Sequence, residues 1–506
     1  MPPCKQPRSL FQATLTHVKE LLDLSCRNIE KTYGNYDKSD CRQQVLILQE
    51  YLLSNIPSMI LDELIEVETA GSHTKQDLRI PLALYMHRNM RKFSVCTWSV
   101  YPKFDFHSEF LVERLIQMHN LVVLVLYRVC TDDILEAVGT NCHRLEEINI
   151  VSKLGLVYTT NEMDKAFNAL KLKFFVSDVG LFYLRNCRLL RKVTMNRILR
   201  SHSGGCMMTV AGIRALVKSL PYLQNITYDD MGLVISEQME DVQQLQLTHL
   251  CDFHPRPTNI VAAAQLCCSL QHLCLHFPNQ STVCTAKEIL ESLANSSLRV
   301  PILELIHFPF CIEMARLLER KGNFLRSLQV ESTDYISLRA VHLIGQTCLS
   351  LRNLQLKQPL RDVNQSSSLE TYKLFHTQHI FHNLHCLHLD GWNWNLAEVL
   401  PLCLLQAKHL ETLFVTDMFS QKDQDDVMAN IISTNPLQEL KEIHMHTRQI
   451  SIATIRYLIE HCPKLTVMSV VESANITSVQ VKELRYEVHQ KNLDLTITLV
   501  EAEPLG

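Results

Sequence analysis

Histidines at a constant spacing of three residues are the part of this chain that could most readily do chemistry. They are His376, His379, His382, His385 and His388. Imidazole nitrogens are common metal ligands, so a metal site is conceivable. The five rings would share one face only in a 3₁₀-like segment. The segment Leu384 to Leu389 instead has the pattern of a short strand, where neighbouring side chains point to opposite faces. We therefore expect no metal and no cofactor here.

Cysteine is abundant, at 18 residues, but its spacing does not form a zinc motif. Cys267 and Cys268 are adjacent and Cys274 is near them, whereas a zinc site needs two CxxC pairs at a defined distance. The sequence also contains no GxSxG, HExxH, GxGxxG or P-loop motif. We expect the cysteines to be small core residues and the protein to have no catalytic activity of its own.

Length and charge exclude several classes of protein. The chain has 506 residues, a net charge of −4 and 46% hydrophobic residues, which is typical of a folded protein. It has no long run of Lys or Arg, so it lacks the charge pattern of a nucleic-acid-binding protein. No apolar run approaches the roughly 20 residues that span a bilayer. We expect a cytoplasmic or nuclear protein, or both, that binds neither nucleic acid nor membrane.

A pattern of the form LxxLxL recurs along most of the chain at spacings of about 24 to 33 residues, in or near the range of leucine-rich repeats. The copies begin at Met90, Leu121, Leu145, Leu190, Leu223, Val242, Leu270, Val300, Leu325, Leu351, Leu384, Leu410, Leu440 and Leu465. A last strand is predicted over Leu493, Leu495 and Ile497. Each copy predicts a short strand whose leucines point into a core.

A second signal lies between these strands. Five copies have a cysteine three residues before the first apolar residue of the strand, namely Cys142, Cys187, Cys267, Cys348 and Cys462. Apolar residues at helical spacing precede most of them, as in the segment from Asp132 to Leu145. A helix therefore alternates with each strand, and neither can bury its apolar side without the next repeat.

These repeats resemble the cysteine-containing leucine-rich-repeat family, which occurs in F-box receptors and their relatives. The resemblance covers roughly residues 90 to 500. It implies an α/β solenoid, a horseshoe of about 13 or 14 parallel strands with the sheet on the concave side. Insertions interrupt the repeats near residues 151–174 and 357–383. Such insertions usually lie on the surface of a solenoid.

Residues 1–66 do not fit the repeat and are predicted to be helical, with a linker or cap over 67–89. Ser9, Leu10, Thr14 and Val18 resemble the small–Leu–xxx–Cys–xxx–aliphatic box that binds elongin C, with Thr14 at the cysteine position. This box is found in Zyg-type and PRAME-like receptors of ubiquitin ligases. The resemblance implies elongin B and elongin C as partners, bound by a helix in a groove.

A second box follows in the same segment. Ile56, Pro57, Ile60 and Leu64 resemble the apolar–Pro–xx–apolar–xxx–apolar pattern of a box for a cullin of the cullin-2 class. The cullin-5 pattern would need proline at Met59. Together the boxes imply a substrate-recognition subunit of a cullin-RING ubiquitin ligase.

Two other interpretations of the N-terminal segment remain open. The turn at Ile56-Pro57 and the helix after it also resemble an F-box, which would bring a Skp-type adaptor instead of elongin. A loop-like stretch, Glu68 to Leu78, would fall inside such a domain. Alternatively, the helices only cap the first repeat of a scaffold with no role in a ligase, because a solenoid needs a capped end to stay soluble.

The repeats also predict a surface for a target protein. Residues two, four and six after the first leucine alternate with the core residues of each strand and should share the concave face. Our candidates for binding the target are Glu331, His388, Asp390, Phe414, Glu442, His444 and His446. The same rule places Asp229, Gln244, Gln246, His272 and His276 on this face. The face is polar and near neutral, which favours a protein ligand, with Phe414 as its anchor.

Overall fold

A computed structural model describes residues 10–57, 60, 79–96, 104–127, 130–150, 176–195, 208–237, 239, 244–278, 283–358, 380–391, 394–417, 424–473 and 475–500. These residues form two compact units. The first holds 10–251 and 265–269, and the second holds 252–264 and 270–500. Most of the two predicted insertions lies outside the described residues.

Among the described residues, the first unit starts with three helices and continues with alternating strands and helices. Its elements are α1 (Leu10–Tyr33), α2 (Ser39–Asn55), α3 (Arg79–Tyr85), β1 (Lys92–Cys96), α4 (Phe104–Leu115), β2 (Val123–Tyr127), α5 (Asp132–Asn141), β3 (Glu147–Asn149), α6 (Asp178–Leu184), β4 (Lys192–Thr194), α7 (Val210–Ser219), β5 (Asn225–Thr227), α8 (Met231–Ser236) and β6 (His249–Asp252).

The described part of the second unit consists of alternating strands and helices. Its elements are α9 (Pro257–Leu266), β7 (His272–His276), α10 (Val283–Asn295), β8 (Ile302–Phe308), α11 (Ile312–Lys321), β9 (Ser327–Ser332), α12 (Leu338–Thr347), β10 (Asn353–Lys357), β11 (Cys386–Asp390), α13 (Leu396–Leu404), β12 (Thr412–Asp417), α14 (Asp425–Thr434), β13 (Glu442–Thr447), α15 (Ile452–His461), β14 (Val467–Val471), α16 (Ser478–Gln490) and β15 (Thr496–Val500). The last residues of α9 belong to the first unit.

Side-chain caps start several repeat helices. Thr131 accepts a hydrogen bond from the amide of Ile134, and Ser337 accepts one from the amide of Ala340. At α16, Thr477 and Gln480 form a reciprocal capping box. Such caps satisfy amides that have no partner inside the helix. The Ser or Thr before each of these apolar runs therefore determines where the helix begins.

The strands of each unit follow one another in chain order, and all recorded pairs are parallel. Leu354, for example, pairs with Leu328 on one side and Leu387 on the other. Along β10 the buried and less buried side chains alternate. This is the predicted α/β architecture of a leucine-rich-repeat solenoid. The described residues contain fifteen strands, slightly more than the 13 or 14 we expected.

The strand predicted from Val242 is misplaced. Residues 244–247 are not in a strand, and β6 begins only at His249, which pairs with Asn225. The sequence is ambiguous here because Leu245 and Leu247 fit a copy that begins at Val242, whereas Leu247 and Leu250 fit the first two positions of a copy that begins five residues later. Backbone pairing to β5 selects the later register. Gln244 and Gln246 therefore do not lie on a strand face, contrary to the prediction.

The recurring position of cysteine three residues before the strand has a packing reason. Cys142 and Cys187 are fully buried at the turns where helix passes to strand. The thiol of Cys142 lies 3.4 Å from the carbonyl oxygen of Met118, and that of Cys187 lies 3.6 Å from the carbonyl oxygen of Cys142. A small side chain with a weak donor fits this position because it links one repeat to the preceding one.

Candidate protein-binding surfaces

The N-terminal candidates are only partly described by the structure. Ser9 and Leu64 lie outside the described residues. Leu10 is the first residue of α1, which also contains Thr14 and the half-buried Val18.

The residues of the predicted cullin box begin at the end of α2. Ile56 follows this helix as its C-terminal cap and is half-buried, whereas Pro57 is exposed. The amide of Ile60 donates a 2.9 Å hydrogen bond to the carbonyl of Pro57.

One buried side chain ties α2 to α3. The amide nitrogen of Gln49 lies 2.8 Å from the carbonyl oxygen of Ala83, 3.2 Å from that of Leu84 and 2.7 Å from that of Met86. These carbonyls belong to the end of α3, where helical partners are lacking. Gln49 therefore satisfies a buried helix end that would otherwise be costly.

A charged and aromatic group attaches these helices to the first repeat. Arg79 donates two hydrogen bonds to the carboxylate of Asp37, at 2.7 and 3.1 Å. The ring of Tyr36 packs edge-on against Phe110 of α4, with ring centroids 5.4 Å apart, and its hydroxyl bonds to Arg114. The N-terminal helices therefore pack on the first repeat, as a cap does.

Large apolar side chains remain exposed on the same two helices. Leu21 is 51% exposed and Tyr51 is 64% exposed, whereas Leu22 and Leu52 of the same helices are buried. We name the exposed set the terminal helix surface; it consists of Leu21, Leu24, Leu46, Ile47, Tyr51 and Leu53. Apolar side chains left exposed on two neighbouring helices are a candidate interaction site. The helices thus have one apolar side that packs on the protein and another that does not.

The strands of the second unit form a different surface. Register places His388 of β11 beside Gln355 and Phe414, and Phe414 beside His444. Side chains of paired residues in parallel strands point to the same face. We name the residues that alternate with the core along β7–β15 the polar sheet face. Asp229, predicted for the corresponding face of the first unit, is instead buried.

An aromatic group lies near the middle of the polar sheet face. The ring of Phe414 is 4.1 Å from that of His388, 5.5 Å from that of His444 and 5.2 Å from that of His446, between centroids. We name these four residues the Phe414 cluster. Nε2 of His446 is 2.9 Å from the hydroxyl of Ser469 on β14, which orients that imidazole. The structure thus brings together four of the seven candidates.

Burial favours the neutral form of two of these imidazoles. It lowers the pKa of His388 and of His446 below the usual value, and the nearby His444 lowers both further. Lys357 also lowers the pKa of His388, while the carboxylate of Asp390 acts in the opposite direction on both rings. Nε2 of His388 is buried with no hydrogen-bond partner among the described residues. A proton there would have no acceptor, which favours the neutral ring.

Glu331 lies in a second polar group of the same face. Its carboxylate is 3.3 Å from Nε2 of His307 and 3.3 Å from the ammonium of Lys357. His307 has a positive φ of 62° at an irregularity in the pairing of β8 with β9. The sequence did not indicate His307 because strict alternation places it toward the core. A bulge at this position returns it to the polar face.

Two further candidates, Asp390 and Glu442, lie on the same polar sheet face. Asp390 acts electrostatically on the Phe414 cluster, and Glu442 begins β13 at a position paired with Thr412. In the histidine run, the ring of His385 stacks on that of His409, whereas the ring of His388 contacts that of Phe414. His376 and His379 lie outside the described residues. Within the described part of the chain, no three His, Cys, Asp or Glu side chains could hold a metal.

The cysteine thiols at the repeat turns have low reactivity. Burial raises the pKa of Cys142 and of Cys348 to about 12. The thiolate is the reactive form of cysteine, so these side chains are poor nucleophiles near neutral pH. Their arrangement serves the core and provides no catalytic group.

Together, the fold and these surfaces define the class of protein. It is an α/β repeat protein with two candidate surfaces for other proteins, the terminal helix surface and the polar sheet face. No helix in the part of the chain that the structure describes is long and apolar enough to cross a membrane.

Comparison with known proteins adds little to this description. No protein-family model matches the chain, and no curated protein matches it. One solved structure similar to it is the crystal structure of the Rad7 and Elc1 complex in yeast, at 10% sequence identity and a TM-score of 0.44. The similarity covers 94% of this chain and 96% of that chain. A likeness at this level carries no conclusion about activity or partners.

Proposed function

We propose that this protein is the non-catalytic substrate-recognition subunit of a cullin-RING ubiquitin ligase. In this role the repeats bind a target protein, and the N-terminal helices bind elongin C, with elongin B, and then a cullin of the cullin-2 class. The unpaired thiols of Cys142, Cys187 and Cys462 suit a protein of the reducing cytoplasm or nucleus.

The observation that carries the proposal is the terminal helix surface. A helical cap that only closes a solenoid needs a polar outer side, because that side meets water. Here α1 and α2 leave Leu21, Leu24, Ile47 and Tyr51 exposed after packing on the first repeat. The second apolar side of the helices therefore favours a bound partner over a plain cap.

The position of these leucines agrees with the predicted elongin box. A residue eleven positions after Leu10 lies about three turns further along the same line of an α-helix. Leu21 occupies that position and is exposed. Leu10, Thr14, Val18 and Leu21 thus fall within about 80° around α1. One side of the helix of this width suits binding in a groove on a partner.

Binding of the purified full-length protein to purified elongin B–elongin C complex, measured by calorimetry, tests this role. Burying one leucine contributes about 1.5–3 kcal/mol. Leu10→Ala and Leu21→Ala should therefore each weaken binding by roughly tenfold or more. The matched control is Val479→Ala on α16, which also shortens an exposed apolar side chain and should leave the affinity unchanged.

Three outcomes separate the hypotheses for the N-terminal segment. Binding of elongin that depends on Leu10 and Leu21 supports the proposal. Binding of a purified Skp-type adaptor in its place supports an F-box receptor. If neither adaptor binds the intact protein, the ligase role is wrong and a repeat scaffold remains.

The cullin box has a separate test. In a complex already assembled with elongins, Pro57→Ala together with Ile60→Ala should weaken binding of a cullin-2-class cullin by roughly tenfold, since an apolar contact is lost. The affinity for elongins should not change. Retention of the cullin by this variant would remove these residues from the interface.

A further inference from the structure

The Phe414 cluster combines features that suit a particular kind of side chain. One phenyl ring is surrounded by three imidazoles on β11 and β13, at centroid distances between 4.1 and 5.5 Å. Phe414 itself is half-buried, so part of the ring remains open to a ligand. Aromatic faces attract cations through the negative side of their π system.

We propose that the Phe414 cluster binds a cationic side chain, an arginine or a lysine, of the target protein, with Asp390 as the counter-charge. The proposal deepens the role suggested above, because it assumes that the polar sheet face is where the target binds. It names the chemistry of the target and not its identity.

The charge of the polar sheet face favours such a ligand. Along β7–β15 the face carries the carboxylates of Glu304, Glu331, Asp390 and Glu442, against the single ammonium of Lys357. Lys357 is engaged by Glu331 at 3.3 Å. These strands are therefore more negative than the near-neutral face that the sequence predicted. A negative face complements a basic protein segment, since opposite charges both steer and orient association.

The strand places one of these carboxylates close to the cluster, because Asp390 is two residues after His388 on the same face of β11. The carboxylate of Asp390 acts on both His388 and His446, which lie on either side of Phe414. Because burial lowers the pKa of both rings, the neutral form of each is favoured. A cation above Phe414 would therefore meet an aromatic ring and the carboxylate of Asp390. Lys357, which pairs in register with Asp390, is held 3.3 Å from Glu331.

Other ligands fit the cluster less well. A phosphate or other anion would meet Asp390 and no arginine on the described strands of this face. A metal ion would need three convergent ligands, which the described residues do not provide. A purely apolar side chain would leave Asp390 unpaired beside it, and burying an unpaired charge is costly.

Fluorescence anisotropy with defined peptides tests the proposal on the full-length protein. The probes are fluorescein-labelled dodecapeptides of Gly and Ser that carry Arg, Lys or citrulline at three positions. Citrulline keeps the shape of arginine without its charge. We expect the arginine or the lysine peptide to bind at least roughly tenfold more tightly than the citrulline peptide at pH 7.4. Equal binding of all three would overturn the proposal.

Two variants locate the binding site, and two controls match them. Asp390→Asn and Phe414→Leu should each weaken binding of the cationic peptide by roughly fivefold, which corresponds to about 1 kcal/mol. Glu483→Gln and Tyr486→Leu make similar changes on the exposed side of α16 and should have no effect.

Asp390→Asn is the decisive variant, because it changes a side chain at the end of a strand and leaves the core intact. If the affinity is the same with and without this carboxylate, the cation binds elsewhere and the proposal is wrong. The assay contains no elongin. A failure of the adaptor proposal therefore leaves the peptide result unchanged, and the two can be told apart.

Discussion

The terminal helix surface and the polar sheet face expose their side chains for different physical reasons. On α1 and α2, Leu21 and Tyr51 are exposed because each helix carries apolar residues on more than the one side that packs. On β11–β13, His388, Phe414 and His444 share a face because strand register brings them together. The first surface depends on local composition and the second on the alignment of distant segments.

The comparison shows what a substitution does in each place. An exposed apolar residue of a helix contributes little to folding, so its removal affects binding of a partner. A residue of the sheet face is surrounded by neighbours from other strands, so binding and stability are coupled there. The following predictions separate the two effects, from the largest to the smallest.

The largest effect is expected inside α2, where buried and exposed leucines occur side by side. Leu52→Ala should lower the free energy of unfolding by about 2–5 kcal/mol, because it leaves a cavity beneath the helix. Leu46→Ala, in the exposed part of the same helix, should change it by no more than about 0.5 kcal/mol. Urea unfolding followed by circular dichroism measures both. Equal losses would mean that the terminal helix surface is part of the core.

A smaller effect is expected from the buried amide that joins α2 to α3. Gln49→Leu removes the donor to the carbonyls of Ala83, Leu84 and Met86. The buried carbonyls then lack a donor, which should lower the free energy of unfolding by about 1–3 kcal/mol. Hydrogen exchange should then accelerate in α3. Gln43→Leu, at an exposed position of α2, is the control, and the same acceleration in both variants would contradict the role of Gln49.

On the polar sheet face, removing one charge should change stability less than the substitutions in α2. Glu331→Gln takes a partner from His307 and from Lys357, both partly exposed. Pairs of this kind contribute about 0–1 kcal/mol, so thermal unfolding should change only slightly. Glu483→Gln on α16 provides the baseline for loss of an exposed carboxylate. A large loss with Glu331→Gln would show that this face is needed for folding rather than for binding.

The smallest effect should be seen with pH. Burial lowers the pKa of His388 and His446 in the folded protein. Such histidines contribute stability above their ordinary pKa of about 6.5, and this contribution disappears as the pH falls through the folded-state value. Between pH 7.5 and pH 5, the free energy of unfolding should fall more in the natural protein than in His388→Gln/His446→Gln. The exposed His461→Gln should behave like the natural protein.

The repeats were predictable from the sequence because their signals are local. Strand positions follow from pairs such as Leu354 and Leu356, and the α/β architecture follows from helix caps such as Ser337 before an apolar run. The one misplaced strand, near Val242, has apolar residues that fit two registers. The later register is selected by backbone pairing, since His249 pairs with Asn225 of β5 and its amide donates to the carbonyl of Gln224.

The candidate surfaces were predictable to different degrees. Alternation along β11–β13 correctly grouped His388, Phe414 and His444 on adjacent strands, since a period of two is a property of any strand. It missed His307, because a bulge interrupts the period at that residue. Nothing in the sequence indicated that Gln49 would bind the end of α3, 34 to 37 residues later in the chain.

The sequence by itself determined the repeat, the alternation of helix and strand, and the chemical character of each strand face, because these depend on residues a few positions apart. Only the tertiary structure decided which residues of different repeats meet. The Phe414 cluster unites side chains from β11, β12 and β13 with Ser469 of β14. Its geometry depends on the register of successive parallel strands, which backbone hydrogen bonds and core packing select together.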